Sequence, residues 1–556
     1  MTISCSQCDQ SFELTSDDLA FYEKVSPVFA GKKQSIPPPT LCPDCRNQRR
    51  MAWRNDRTFF RRKCDATGEL FLSIYPEGTP FPVYKPSAWY SDTWNPLDFG
   101  RPFDFSRPFF DQWKELFDSV PRLGIDIVNC ENSEYCNYCG DEKNCYLDIA
   151  GEGNEDCYFN LFTKHSKNCV DCTFVYTSTL CYESIQCYDC YNVRYSQYVE
   201  NCSDCEFCFD LKGCRNCLLS TNLRNKEFYI LNQPHTKEEY AKKRAELNLG
   251  TLSAVQSVYA LWEKMRIENG IYRDKYSLNS ENCTGNDIKN AKNCRQSFNI
   301  SGCEDSAYLQ DVLDAKDCQD LNYSLYKPEV AYELISTLQM HSSAFSMASH
   351  YCNSAFYCDL CNNSENVFGC IGLNHGKYCI LNRQYTQGEY EELVPKIIEH
   401  MKAAGEWGEF FPGALSPFGY NETVAQEYYP LTQEEAGEKS SSWRESSPTE
   451  MQQPTLSIPD SIHAASSGIV KEIFGCTLCN KSFRIIAQEF SYYKNQEIPP
   501  PSACPACRHT ARNARRNPRR LWDRSCAECS QAIQTSYSLE RPEKVYCEKC
   551  YLKRIY

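Results

Sequence analysis

One cysteine layout is written at both ends of this chain, and it constrains the fold more than any other feature. Cys5-x2-Cys8 and Cys42-Pro43-Asp44-Cys45-Arg46 stand near the start, and Cys476-x2-Cys479 and Cys504-Pro505-Ala506-Cys507-Arg508 near the end. Eighteen residues separate Cys45 from Cys64 and, equally, Cys507 from Cys526. The two copies therefore superpose by offset alone. The C-terminal copy continues with Cys526, Cys529, Cys547 and Cys550, whereas its N-terminal equivalents are Cys64, Thr67, Lys85 and Ala88, so three of those four ligands are lost. Four thiolates at about 2.3 Å satisfy a tetrahedral zinc ion, and each Cys-x2-Cys turn aims two sulfurs at one point. Three structural Zn2+ sites are expected. All-thiolate sites leave no open position for a reacting water, so their chemistry is structural.

Proline is tolerated in a first helical turn, so Cys-Pro-x-Cys predicts a helix after each second pair. Arg46, Arg50, Arg54, Arg57 and Arg61 then form one helical stripe with Trp53 beside it, and Arg508, Arg512, Arg516 and Arg519 repeat it with Trp522 beyond. Pro518 is expected to end or kink the second helix. The formal net charge is -14, yet the stretch from Arg46 to Lys63 carries +7 and that from Arg508 to Arg524 carries +6, which leaves -27 on the remainder. Guanidinium groups interleaved with indoles suit phosphate contact and base stacking, so these eleven residues are candidate nucleic-acid contacts, RNA favoured. The alternatives are docking on an acidic protein partner and simple solvation or neutralisation of the acidic body.

Cys5-Ser-Gln-Cys8 with Phe12, Phe21-Tyr22, the prolines before Cys42 and the Cys42-to-Arg46 run resemble the short bacterial domains called probable zinc-ribbon or treble-clef domains; Cys476 to Cys479, Phe483, Tyr492-Tyr493, Pro499 to Pro501 and Cys504 to Arg508 carry the same likeness. About fifty residues at each end are covered. The whole chain also resembles uncharacterised cysteine-rich zinc-ribbon proteins of small-genome bacteria, through Met51-Ala-Trp-Arg-Asn55, Phe103-Asp-Phe-Ser106 and Ser416-Pro-Phe-Gly-Tyr-Asn421. The resemblance implies zinc binding and supplies no reaction or substrate.

The centre is a repeat array. Cys145, Cys157, Cys169 and Cys181 are each twelve residues apart, Cys190, Cys202 and Cys214 continue the step after a slip of nine, and Cys352, Cys361, Cys370 and Cys379 follow at nine. Short fixed periods with Asn, Asp and Gly between them predict a β-solenoid with small Cys side chains stacked inside and Asn or Asp at the corners. A regular strand places i and i+3 on opposite faces, so the central Cys-x2-Cys pairs, such as Cys136/Cys139 and Cys358/Cys361, are expected to be stacked thiols rather than metal knuckles. Ile230-Leu-Asn232 with Thr236 and Glu239 recurs 150 residues later as Ile380-Leu-Asn382 with Thr386 and Glu389. Each half should end in a strand and then a helix opened by a capping box.

The fold class expected is multidomain and mainly β: a duplicated Cys-rich β-solenoid-like centre with short capping helices, flanked by four-cysteine treble-clef or zinc-ribbon modules. Its parts are a basic-helix zinc module (1–63), a degenerate ribbon hairpin plus amphipathic helix (64–125), a first solenoid half (126–250), a helical connector (251–281), a second half (282–404), a tail and flexible linker (405–468), a second zinc module (469–525) and a final ribbon (526–556). Phe109, Trp113, Leu116 and Phe117 share one helical face and are expected to pack the N-terminal module on the solenoid. Neither a basic-then-apolar leader nor a bilayer-length apolar run is visible, so a cytoplasmic protein without membrane contact is expected, its 37 cysteines thiols or thiolates rather than disulfides. No metalloprotease, nucleophile-elbow or phosphate-loop motif is present, and the enzymatic alternative rests on a Cys nucleophile meeting His165 or His375 in space or on a solenoid-type enzyme with carboxylates clustered on one solenoid face, a cluster that the sequence does not display. The reading is a non-enzymatic, zinc-containing binding protein of undetermined oligomeric state.

Overall fold

A computed structural model describes residues 1–322, 329–335, 339–445 and 452–556. The chain folds as two units, each discontinuous in sequence: Met1–Ile125, Lys275–Arg444 and Arg519–Leu521 form one, and Asp126–Asp274, Glu445–Pro518 and Trp522–Tyr556 the other. Each unit therefore holds one repeat array and one four-cysteine module with a basic helix.

Both arrays are parallel ladders in which residue i pairs mainly with residue i+12. In the second unit, strands Leu161–Lys164, Thr173–Tyr176 and Ile185–Tyr188 pair in this register, and it continues through Gln197–Glu200, Ser203–Lys212, Arg215–Thr221 and Glu227–Ile230. The first unit uses the same register for Gly285–Lys289, Ser297–Ser301 and Gln310–Leu313 and again for Asn353–Phe356, Glu365–Phe368 and Lys377–Ile380. Its ladder opens, however, with a step of eleven, Ser277 on Ile288, and carries a step of thirteen where Lys316–Gln319 pairs with Glu329–Tyr332. Parallel sheets bury both faces, in keeping with the buried, apolar-rich strands.

What makes a twelve-residue step closable is a left-handed residue at every third position. Asn129, Asn132, Tyr135, Tyr138, Asp141 and Asn144 all have φ between 48° and 58°, and the same step of three continues through Asp204, Phe207 and Asp210. The residue after each such corner points inward. Cys136, Cys139, Cys145, Cys157, Cys169, Cys172 and Cys181 all occupy that position and are buried. Here the structure corrects the expectation that i and i+3 face opposite ways: the corner between them resets the side-chain direction, so both members of a Cys-x2-Cys pair face in.

The left-handed conformation costs an L-residue roughly 1–2 kcal/mol, least for Asn and Asp. Cross-rung bonds offset it: Asn132 Nδ2 donates to Asn144 Oδ1 at 2.9 Å, Asn144 to Asp156 at 3.2 Å, and Asn293 to Asp305 at 2.8 Å. Aromatic corners stack instead, as Phe162 does on Phe174 at 4.7 Å. Inward thiols donate to carbonyls, Cys157 Sγ to Glu155 O and Ser166 O at 3.5 Å, and inward Ser166 does the same. Serine and cysteine are interchangeable inside the ladder because each is a small donor that reaches the same carbonyl.

The duplication also closes both ladders alike. Hairpins Glu227–Ile230/Gln233–Pro234 and Lys377–Ile380/Arg383–Gln384 precede helices Lys237–Glu246 and Gln387–Ala403, and Thr236 with Glu239 and Thr386 with Glu389 form the expected capping boxes. In the first unit the helix Phe109–Phe117 buries Phe109, Trp113, Leu116 and Phe117, and Trp113 Nε1 donates to Tyr357 O at 3.1 Å. The segment expected to be a flexible linker differs. Val424–Tyr428 and Gln433–Glu438 are helices, and Val424, Ala425 and Ala436 pack on Met51 and Ala52, because this polar stretch carries an apolar residue at each contact. Residues 446–451 of that linker lie outside the described residues.

Candidate metal centres and the arginine helices

The four-cysteine modules that carry the basic helices each open with a short hairpin, Thr2–Ser4 on Ser11–Glu13 or Phe474–Gly475 on Phe483 and Ser482, whose turn holds the first cysteine pair. The second pair sits at a helix start: Cys42 and Cys504 are the N-caps of Pro43–Met51 and Pro505–Ala514, with proline in the first turn. Cys547 likewise caps Glu548–Ile555.

These elements bring together Cys5, Cys8, Cys42 and Cys45; Cys476, Cys479, Cys504 and Cys507; and Cys526, Cys529, Cys547 and Cys550, every Sγ of a group lying within 4.8 Å of the others. A tetrahedron of thiolates about 2.3 Å from a zinc ion has edges of about 3.8 Å. The separations Cys8 to Cys42, Cys479 to Cys504 and Cys529 to Cys547 are 3.8, 3.8 and 3.7 Å. The donor sets therefore fit a tetrahedral thiophilic ion, and all three can hold one. Backbone amides supply the outer support: Cys42 N donates to Cys5 Sγ at 3.3 Å, Cys504 N to Cys476 Sγ at 3.2 Å and Cys547 N to Cys526 Sγ at 3.3 Å. Burial raises the Cys476 and Cys526 thiols, but the amides of their own turns and of Cys504 or Cys547 outweigh it and bring each to about 6. Cys42 falls to about 5, chiefly through its hydrogen bond with Cys45. Within the same groups Cys45 is raised by its hydrogen bond with Cys42, and Cys507 and Cys550 chiefly by burial, so each group ionises first at one thiol and metal binding has to displace the remaining protons.

The lost fourth site keeps its frame without its ligands. Cys64 is buried and still accepts the Lys85 amide at 3.4 Å, while the Lys85 side chain pairs with Glu69. Strands Phe60–Lys63 and Leu70–Ser73 form the same hairpin as Trp522–Ser525 and Ala532–Thr535. Tyr84 and Trp89 pack on Trp94 with centroids 5.9 and 5.8 Å apart.

The arginine stripes are not continuous helical faces. The first helix ends at Met51 and the second at Ala514, before Pro518. Arg54 and Arg57 follow the first helix, and Arg61 lies exposed on strand Phe60–Lys63. Trp53 turns into the core, donates to Phe411 O at 3.3 Å and meets Trp113 edge-on at 5.9 Å. That burial draws the chain out of the helix.

Arg46, Arg50, Arg508 and Arg512 are buried and Arg49 is half-buried, and carboxylates of their own unit hold them. Arg46 forms a fork on Asp320 and donates to Leu41 O at 2.8 Å; Arg50 reaches Asp320 at 3.3 Å and Asn322 at 2.9 Å; Arg49 bridges Glu333 and Glu409 at 2.8 and 2.7 Å. In the other unit Arg508 meets Asp171 at 3.1 Å and Glu489 at 2.9 Å, and Arg512 meets Asp171 at 2.6 Å and Glu183 at 3.3 Å. Arg54 pairs with Asp56, Arg519 with Asp311, and Arg516 lies over the Phe174 ring at 4.4 Å. Trp522 is half-buried in its strand. In this fold the charge at Arg46, Arg50, Arg508 and Arg512 faces carboxylates, where the sequence suggested a surface stripe.

The two docking sites are copies. Arg46 and Arg508 follow Cys45 and Cys507, and Asp320, Glu333, Asp171 and Glu183 are all left-handed corner residues of their ladders. Tyr22 meets Tyr332 edge-on at 5.0 Å, and Tyr493 meets Tyr182 edge-on at 5.8 Å. Asp18 and Glu489 occupy the same capping-box position of matching helices and are buried; Asp18 binds Arg295 at 2.6 Å, Glu489 binds Arg508. Sequence reasoning missed all six carboxylates. The signal was present in part, since Glu183 and Glu333 recur at the 150-residue offset of the hairpins and Asp18 and Glu489 at the 471-residue offset of Cys5 and Cys476, with Asp171 and Asp320 one residue short at 149, but an isolated acidic residue in an acidic chain attracts no notice.

His165 and His375, weighed as partners of a Cys nucleophile, are exposed corner residues, whereas the ladder thiols near them point inward. Among the described residues no helix is long and apolar enough to cross a membrane. Compared with known proteins, the chain matches no family model and no curated sequence.

Proposed function

We propose that this protein is a non-enzymatic, zinc-stabilised scaffold for a protein partner. In this reading the two ladders are β-solenoids, the terminal modules belong to the zinc-ribbon or treble-clef type that their sequences resemble, and the arginine helices lock each module onto its solenoid. The observation that carries it is the repeated buried cluster, Arg46 and Arg50 on Asp320 in one unit and Arg508 and Arg512 on Asp171 in the other. The carboxylates that meet these helices belong to the chain itself, which is the neutralisation of the acidic body that the sequence also allowed and leaves the same arginines without the role of gripping an acidic partner. Zinc holds the helix start, the helix delivers the guanidinium groups, and the solenoid corners receive them.

The test is binding of the full zinc-loaded chain to generic RNA and DNA at two salt concentrations. No binding at physiological salt is expected, with no effect of Arg512→Glu beyond loss of stability. Retention with log K falling against log salt at a slope near -5, the value for about six neutralised phosphates, would restore nucleic acid as the ligand.

A further inference from the structure

One rung of the second unit's ladder breaks the pattern of neutral interior side chains. Its four inward positions are Glu142, Cys145, Asp148 and Gly151. The corresponding positions of the preceding rung are Cys130, Ser133, Cys136 and Cys139, and those two rungs further on are Ser166, Cys169, Cys172 and Val175. Glu142 is 1% and Asp148 0% exposed, and among the described residues neither forms an ion pair with Lys, Arg or His. Carboxylates cost several kcal/mol each to bury without a counter-charge.

The rung is built around them. Asn154 Nδ2 donates to Glu142 Oε1 and to Asp148 Oδ2 at 3.1 Å each, and to Thr163 O at 2.7 Å. The other oxygens, Glu142 Oε2 and Asp148 Oδ1, are buried without a hydrogen-bond partner, as is Oγ1 of Thr163 one rung beyond Gly151. Gly151 is required by the cluster and not by its backbone: a Cβ there would stand 2.0 Å from Glu142 Oε1 and 3.2 Å from Asp148 Cγ. One ligand atom each from Glu142, Cys145 and Asp148 lies within 4.8 Å of the others, from three successive sides of one rung.

We propose that Glu142, Cys145 and Asp148 bind a divalent transition-metal ion of the zinc class inside the ladder, a fourth metal site distinct from the three all-thiolate ones. Two carboxylates and a thiolate are a donor set for a borderline cation and unsuited to calcium or magnesium, which take oxygen ligands alone. Binding displaces the Cys145 proton and the proton shared by the carboxyl pair to solvent, and the divalent charge offsets two of the three anionic ligands, leaving one net negative charge at the site. Asn154 is the positioning residue, because its amide orients one oxygen of each carboxylate and leaves the other to the ion. The competing account is a proton shared between Glu142 and Asp148, with no metal.

The test is metal analysis of the full chain, purified reduced and equilibrated with zinc, beside Glu142→Gln/Asp148→Asn. The variant is expected to hold one ion fewer per chain, whatever the terminal sites contain; equal counts overturn the proposal. Should the double variant misfold, Gly151→Ala serves, since its methyl group would stand 2.0 Å from Glu142 Oε1, 2.9 Å from Asn154 Nδ2 and 3.2 Å from Asp148 Cγ and so displaces the ends of the side chains that form the site, and the same loss of one ion is expected. X-ray absorption of the loaded wild-type chain needs no variant: oxygen beside sulfur around zinc is expected, and an all-sulfur shell refutes the site.

Discussion

Arg512→Met tests the docking cluster most directly. Arg512 and Asp171 are both fully buried, Nη1 lies 2.6 Å from Asp171 and 3.3 Å from Glu183, and Nη2 donates to Phe159 O at 3.0 Å. Removing one partner of a buried pair costs about 3–5 kcal/mol, because the other charge stays behind without compensation. Asp171 keeps Arg508 at 3.1 Å, which places this variant near the lower end. At about 3 kcal/mol the local opening constant rises about 150-fold. The assay is native-state amide exchange across Pro505–Ala514 and Thr173–Tyr176 in the zinc-loaded chain, since two units need not unfold as one transition. Asp171→Asn alone should also open the site, yet the double variant should fall short of the sum by about 2 kcal/mol, as expected for side chains in one network. An acceleration below about tenfold (~1.4 kcal/mol), or simple additivity, would refute the buried clamp.

Three further outcomes follow. Chelation of the terminal zinc ions should release the modules, since such sites contribute on the order of 10 kcal/mol to folding; proteolysis should then cleave between Cys476 and Cys507 while the ladder strands stay protected, and undiminished resistance would contradict a stabilising metal. Asn144→Ala should cost about 1–2 kcal/mol, from its left-handed backbone and its bonds to Asn132 and Asp156, measured by thermal unfolding of the unit. The Thr386 and Thr236 amides hold the Glu389 and Glu239 carboxyls below the usual 4.5. A depressed folded value means stability that is present above 4.5 and lost as pH falls through the lower folded value; carboxyl chemical shifts should titrate below 4.5, and midpoints at or above it would remove the capping contribution.

The sequence by itself determined everything that depends on spacing. Cys-x2-Cys turns and Cys-Pro-x-Cys helix starts are local, so the twelve terminal ligands were legible, and Thr236 and Thr386 announced their helices for the same reason. The period of twelve is likewise written in the chain, although the step of three inside it is hidden, because such residues look like those of an ordinary strand and left-handed Tyr135, Phe159 or Leu147 carry no glycine to announce them. Tertiary structure alone decided the fate of the arginines. Arg46 and Asp320 are 274 residues apart, and Arg512 and Asp171 341 apart. A guanidinium group has the same one-letter code whether it faces water, a phosphate or a buried carboxylate, and only the folded chain supplies the partner that fixes which. The same holds for Glu142, Cys145 and Asp148: their spacing of three is ordinary in sequence, and it becomes a converging set only because a corner before each one turns its side chain inward.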